Sequence, residues 1–276
     1  MRSISFFAHQ AHFFRSTPGA NYPHMQRASS MIRGEQIAKY LGAKLNPIDK
    51  YENDVCIYVK PNNFDVIKDG SYVDIIDSIS LVRGILKYPN LRAIVFSKSG
   101  VDYLNIMGKK NVVVIPQHHC NIDNILRDKT DITTVGVIGS PDSFNYPIDE
   151  FSKRLKEIGL DFITSFSWRS RQDVVDFYQK IDIQVSFNRS FTRQKCLRDS
   201  LRLKNAASFG IPTVAYPEVN YKEFTGNYIE VRSIDDMIAE IKKLKDKTYY
   251  EQWSNKALLK SKEFHISKIA ELYKQL

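Results

Sequence analysis

No run in this sequence approaches the ~20 consecutive apolar residues that a membrane-spanning helix requires, so no transmembrane segment is expected. Cysteine is scarce. Cys56, Cys120 and Cys196 are odd in number and far apart, which argues against a disulfide framework and for a reducing compartment. There is no Cys-x-x-Cys pair and no Asp-x-Asp, and adjacent His118, His119 and Cys120 have diverging side chains, so no metal site is expected. A G-x-G-x-x-G after the first strand and a G-x-x-x-x-G-K-[ST] anywhere are both missing, which excludes the dehydrogenase and P-loop kinase classes. Internal repeats and low-complexity tracts are absent. The first nine residues, MRSISFFAH, read as an opening strand and lack a signal-peptide cleavage pattern, so the expected location is the cytoplasm.

What is present is a basic, core-forming chain. The 276 residues include 43% hydrophobic side chains, enough for two modest domains. The net charge is +9, and residues 1–120 hold 15 Lys+Arg against 9 Asp+Glu. Such an excess suits a polyanionic partner and also keeps a protein soluble. Strand-like runs at Ser3–Ala8, Asp54–Val59, Tyr72–Ile76, Arg92–Phe96 and Asn111–Ile115 alternate with helical spacing over Gln26–Leu41 and Val101–Met107. The alternation pauses at Pro116–Asp131. It resumes with strands at Thr133–Ile138, Asp161–Phe166, Ile181–Phe187 and Tyr228–Val231, and helices at Tyr146–Ile158 and Arg171–Lys180. Helical segments at Ile234–Leu244, Tyr249–Lys262 and Ile266–Gln275 close the chain. This alternation predicts α/β architecture with parallel sheets.

The strongest local signal is SLRLKNAASFGIPTVAYPEVNYKEF, residues 200–224. Leu201, Leu203, Ala206, Ala207 and Phe209 suit a packed helix, Gly210 occupies the stop position and Pro212 cannot continue it. Thr213–Tyr216 is β-prone, and Pro217-Glu218 can open a further helix. In open parallel sheets ligands bind beyond the carboxyl ends of the strands, so this unit sets polar groups beside such a place.

The stretch resembles the donor-binding segment of GT-B glycosyltransferases of the family-4 type, in which a helix ending in small residues runs into Gly-x-Pro-Val-Val-Ala. Here Asn205–Ala215 reads NAASFGIPTVA, with Glu218 and Glu223 following. Val113–Pro116, a polar turn and then VGVIGS are similar to that family's Ile-Pro-Asn-Gly linker ahead of its second domain, with Gln117–Asn121 replacing the glycine turn. The family's two glutamates, eight positions apart, correspond to Leu197 and Asn205, so its donor contacts and stereochemical course do not carry over. The resemblance implies two Rossmann-like domains in GT-B arrangement, with the C-terminal helix returning to the N-terminal domain. Residues 1–120 would bind the acceptor, 121–262 the nucleotide-sugar, and 263–276 would form the returning helix. It implies a metal-independent hexosyl- or pentosyltransferase acting on a UDP-linked sugar. That nucleotide-sugar is a co-substrate, and no cofactor is required. A non-catalytic nucleotide-binding protein is the competing reading.

Residues 187–204 hold Arg189, Arg193, Lys195, Arg198, Arg202 and Lys204 against Asp199 alone. Arg193, Lys195, Arg198 and Arg202 are donor candidates, because guanidinium forks and ammonium groups bind phosphate oxygens; Arg202 is favoured by the family's basic residue one turn ahead of its small-residue segment. Gly139 and Ser140 end a strand where backbone amides can approach an anion. Asn205 and Glu218 are candidates for ribose or sugar hydroxyls. His9, His12, His118 and His119 are candidate acid–base groups, as is Asp77, ranked above Asp74 because it lies beyond the strand proper.

For the acceptor, Phe13, Arg15, Tyr22 and Arg27 in the long loop after the first strand mix cations with aromatics. A glycan or lipid-linked saccharide is the favoured acceptor, with peripheral membrane contact allowed. The alternative is DNA bearing hydroxymethylated bases, as in some phage enzymes, since cations along a groove and an aromatic site for an extruded base would serve it.

Overall fold

The computed structural model describes residues 3–8, 28–127, 131–168, 170–190 and 192–276. They form two compact units. The first is Met1–His118 with Thr192–Asp199 and Ile266–Leu276; the second is His119–Phe191 with Ser200–His265. Among the described residues no helix is long and apolar enough to cross a membrane.

The first unit opens with β1 (Ile4–Ala8), followed by α1 (Ala28–Ser30), a π-helical turn (Met31–Glu35) and α2 (Gln36–Leu41). Then come β2 (Lys44–Leu45), β3 (Val55–Val59), β4 (Tyr72–Asp74), α3 (Ile79–Leu86), β5 (Arg92–Val95), α4 (Lys98–Ile106) and β6 (Val112–Val114). The strands form one sheet in the order β2-β1-β3-β4-β5-β6, and every pairing is parallel. Its central strands are apolar runs because helices cover parallel sheets on both faces. Helix α3 carries ISLVRGIL directly after Ser78; its apolar residues are nearly continuous, and the sequence reading has no helix there.

Asp54 clasps the start of this sheet. Its carboxylate accepts from the hydroxyls of Ser3 and Ser5 and, at 2.9 Å, from the Lys44 ammonium. Burial pushes its pKa up, but the hydrogen bonds from Ser3, Ser5 and Lys44 outweigh burial and hold it at about 2, below the ordinary 3.8. A carboxylate with a depressed folded-state pKa stabilises the fold above its unfolded value and loses that contribution as pH falls through the folded one. The unaltered protein should therefore exceed Asp54→Asn in stability at pH 6, with the gap closing between about pH 4 and 2. Denaturant midpoints across that range would show it; a gap independent of pH would contradict the assignment.

The second unit contains β7 (Thr134–Ile138), α5 (Ile148–Glu157), β8 (Asp161–Ser165), α6 (Arg171–Lys180), β9 (Ile183–Ser186) and α7 (Leu201–Ser208). It continues with β10 (Thr213–Ala215), β11 (Ile229–Glu230), α8 (Ile234–Lys243) and α9 (Lys247–Ser261). Its parallel sheet runs β11-β10-β9-β7-β8. Val135, Val137, Val185 and Val214 face one core cluster, while Ile138, Tyr178, Ile181 and Ala206 belong to the other. A Ser170–Asp173 capping box starts α6. Helix α7 ends in a Schellman turn: Ile211 N–H donates to Ala206 O and Gly210 N–H to Ala207 O, both at 3.0 Å, with Gly210 at φ +68°. The segment after Pro217-Glu218 is a 3₁₀ helix, Val219–Phe224, not the α-helix the sequence suggests.

The final helix, α10 (Ile266–Lys274), belongs to the first unit. Tyr273 packs edge-on against Phe6 at 5.4 Å and lies beside the Arg33 guanidinium at 5.6 Å. Arg33, on the π-helical turn, donates to Asp74 (2.6 Å) and to the carbonyls of Ile115 and Pro116 (2.8 Å each).

Candidate active site

The carboxyl end of β7 carries the constellation with the clearest chemistry. Gly139 follows β7 at φ +130°, and a Cβ placed there would lie 2.9 Å from Ser143 Oγ and 3.6 Å from Arg202 Nη1. The position has no room for a methyl group, and glycine there lets a hydroxyl and a guanidinium close on the backbone. Both of these atoms are buried and have no hydrogen-bond partner among the described residues. Ser143 ends the 3₁₀ turn Pro141–Ser143, whose first bond runs from Ser143 N–H to Ser140 O at 2.8 Å. Ser143 O accepts from Phe187 N–H at 3.0 Å, which ties the turn to the end of β9.

Arg202 comes from the first turn of α7. Burial works against its charge, yet Tyr221, Glu218, Tyr178 and Asp142 outweigh burial and raise its pKa above the usual value. The buried Tyr221 hydroxyl lies 3.1 Å from Ser186 Oγ. Burial, opposed by Arg202 and helped by Glu218, pushes the Tyr221 pKa up to about 12. An unpaired buried N–H of a charged group is unfavourable by about 1–3 kcal/mol or more. An anion bound there would satisfy Arg202 and Ser143 together with charge-assisted bonds.

Gly139, Arg202 and Glu218 thus come together in one place, joined by Ser143, Ser186 and Tyr221, which sequence reasoning missed. Only the closeness of Ser143 to Gly139-Ser140 in the chain hinted at its part. Gly139 N–H donates to Ser165 O at 3.0 Å, and Asn205 Oδ1 accepts from Cys120 N–H at 2.8 Å, so both groups have partners within the second unit. Ser140 is exposed.

The basic run of residues 187–204 is divided between the two units. Arg193, Lys195 and Arg198 belong to the first unit and Arg202 to the second. Arg193 opens a 3₁₀ helix reaching Leu197, Lys195 is buried and Arg198 half-buried. His118 and His119 are both enclosed. His118 Nε2 lies 3.1 Å from Ile32 O; His119 N–H donates to Phe264 O at 3.0 Å and its ring centroid sits 5.5 Å from that of His265. Asp77 is half-buried beyond β4 at φ +49°, its N–H on Leu197 O, whereas Asp74 is committed to Arg33. His9, His12, Phe13, Arg15, Tyr22 and Arg27 lie outside the described residues. No group of three or more His, Cys, Asp or Glu side chains suited to a metal ion occurs among the described residues.

No family model matches the sequence, and no curated protein matches it in sequence. Solved structures do match in fold. AviGT4, a glycosyltransferase involved in avilamycin A biosynthesis, aligns at TM-score 0.57 and 10% identity over 99% of this chain and 96% of its own. An alpha-glucosyltransferase (AGT) in complex with UDP aligns at TM-score 0.53 and 9% identity over 100% and 98%. An alpha-glucosyltransferase with UDP and a 13-mer DNA containing an HMU base gives 0.51 and 8% over 99% and 98%. The structure of accessory secretory proteins 1, 2 and 3 in Streptococcus pneumoniae gives 0.53 and 12%, and the chain spans 55% of that one's length. The two parallel-sheet α/β units of this chain are those of the GT-B glycosyltransferase fold.

Proposed function

We propose that the protein is a glycosyltransferase that takes a UDP-linked sugar at the carboxyl end of β7 and passes the sugar to an acceptor hydroxyl. The observation that carries this reading is the pair of buried polar atoms beside Gly139, Arg202 Nη1 and Ser143 Oγ, neither with a hydrogen-bond partner among the described residues. Their charge and hydrogen-bonding capacity suit the diphosphate of a nucleotide-sugar. In the reaction the acceptor oxygen bonds to the anomeric carbon as the bond from that carbon to the diphosphate oxygen breaks. The nucleoside diphosphate departs with the bonding electrons, and the hydroxyl proton goes to a base, for which Asp77 is the candidate among the described residues. Arg202 neutralises charge growing on the leaving group, the kind of preorganised stabilisation that gives most to such a step. The first unit serves the acceptor and the second the donor. Because a fixed guanidinium supplies the positive charge, the transfer is metal-independent.

The favoured acceptor is a glycan or lipid-linked saccharide. A DNA acceptor is supported by one specific observation: a full-length match in fold is an alpha-glucosyltransferase solved with UDP and DNA. The basic excess of residues 1–120 is consistent with it. Calorimetry with nucleoside diphosphates, followed by assays of nucleotide-sugar hydrolysis and of transfer to hydroxymethylated duplex DNA, tests the reading. We expect micromolar-range UDP binding and slow hydrolysis. Binding without turnover on any acceptor would favour a non-catalytic nucleotide-binding protein. A DNA acceptor adds a log–log salt slope of about −0.9 per phosphate contacted.

A further inference from the structure

Strand β9 lies at the centre of the second sheet, and all four of its residues are buried. One of them is Gln184, a primary amide with no exposed surface. A buried amide is tolerated only where its donors and acceptor are used, and those of Gln184 converge on the first turn of α7. Its Oε1 accepts from the Tyr178 hydroxyl at 2.7 Å. Its Nε2 donates to the main-chain carbonyl of Arg202 at 3.1 Å and to Thr213 Oγ1 at 3.1 Å. The Tyr178 hydroxyl also lies 3.3 Å from the Arg202 carbonyl. Tyr178 is held in turn by its stack on Phe209, with ring centroids 5.7 Å apart. An apolar residue would fill the same space in the sheet with no buried polar atoms to satisfy, so packing alone does not account for an amide here.

We infer that Gln184, seconded by Tyr178, is a positioning residue for anion recognition: it pins the main chain of Arg202 so that the guanidinium beside Gly139 meets the anion already aimed. This rests on the nucleoside diphosphate reading of that site. A long, flexible arginine side chain gains most when its base is fixed, because the ordering is done before the ligand arrives. Gln184 touches no ligand itself and acts only through Arg202.

The test uses the full chain, with UDP and uridine as probes, and compares Gln184→Leu, Tyr178→Phe, Arg202→Ala and the Gln184→Leu/Arg202→Ala double variant. Gln184→Leu should weaken UDP about tenfold and Tyr178→Phe about threefold, the scale of one lost hydrogen bond to a recognition element. Uridine affinity should stay within about twofold, because a nucleoside carries nothing for Arg202 to hold. In the Arg202→Ala background Gln184→Leu should cause no further loss, the coupling expected of residues acting through one another. A merely structural role would weaken UDP and uridine alike, or persist undiminished without Arg202, and either result overturns the inference while the diphosphate site stands. If Gln184→Leu does not fold, Tyr178→Phe decides on the same UDP-to-uridine ratio. Failure of the unaltered protein to bind UDP overturns the reading of the site and the inference with it.

Discussion

An Arg202→Ala protein is expected to bind UDP about 100-fold more weakly than the unaltered chain, and to turn over a nucleotide-sugar about 10²–10³-fold more slowly. Arg202 Nη1 is buried, lacks a hydrogen-bond partner among the described residues and lies beside Gly139. Alanine removes the charge and the fork without disturbing the Tyr178 and Gln184 bonds, which go to the Arg202 main chain. Arg202→Lys should fall between the two, since an ammonium keeps the charge but not the bidentate geometry. The folded-state pKa of Arg202 is raised above its usual value, so its charge persists across the working pH range. The loss on substitution should therefore be independent of pH between about 7.5 and 9, where the terminal phosphate of UDP is fully ionised as well. Calorimetric titration with UDP and initial rates at saturating donor measure both effects; full donor affinity in Arg202→Ala would remove the site assignment.

The second large effect concerns stability. Asp74→Ala should destabilise the first unit by about 3–5 kcal/mol, the scale found when one partner of a buried ion pair is removed. The Arg33–Asp74 contact is 2.6 Å long and both side chains are almost wholly enclosed. Phe96 and Tyr273 flank the guanidinium at 5.0 and 5.6 Å, so the charge left behind faces aromatic rings. Burial raises the Asp74 pKa against the lowering effect of the Arg33 charge. What makes the change severe is the stranded Arg33, and the double variant Asp74→Ala/Arg33→Met should recover much of the loss. Urea unfolding of the unaltered protein and the two variants distinguishes this from a simple cavity, for which the second substitution would bring no recovery.

Helix α7 and its exit were legible in the sequence because their signals are local. Gly210 requires the left-handed conformation that Phe209 cannot easily adopt, Pro212 bars continuation, and Thr213–Ala215 is a short β-prone run; the structure places each where the sequence does. The place of Arg202 in the first turn of that helix was legible for the same reason. Ser143 and Tyr221 were not, since their part depends on a turn after β7 and a 3₁₀ helix after β10 meeting in space. Helix α3 escaped notice because Ile79, Leu81, Val82, Ile85 and Leu86 form an almost unbroken apolar run, whose period is hard to see. The division of the basic run of residues 187–204 between the two units was not legible, because adjacency in a chain says nothing about which unit each residue joins. The bond from the Cys120 amide to the Asn205 carbonyl oxygen was not legible either, because it joins residues far apart in the chain.

The chain passes between its two units at residues 118–119, 191–192, 199–200 and 265–266, and this routing governs the order in which the protein can be made. During synthesis at roughly 5–20 residues per second, the second unit has all its parts once His265 has emerged. The first must wait for Ile266–Leu276, although its sheet left the ribosome long before. Until then β1 lacks the cover of Tyr273 on Phe6, and the early-made sheet is the half exposed to chaperones and to mispairing. The unit that begins first is completed last, and no single cut yields both halves intact.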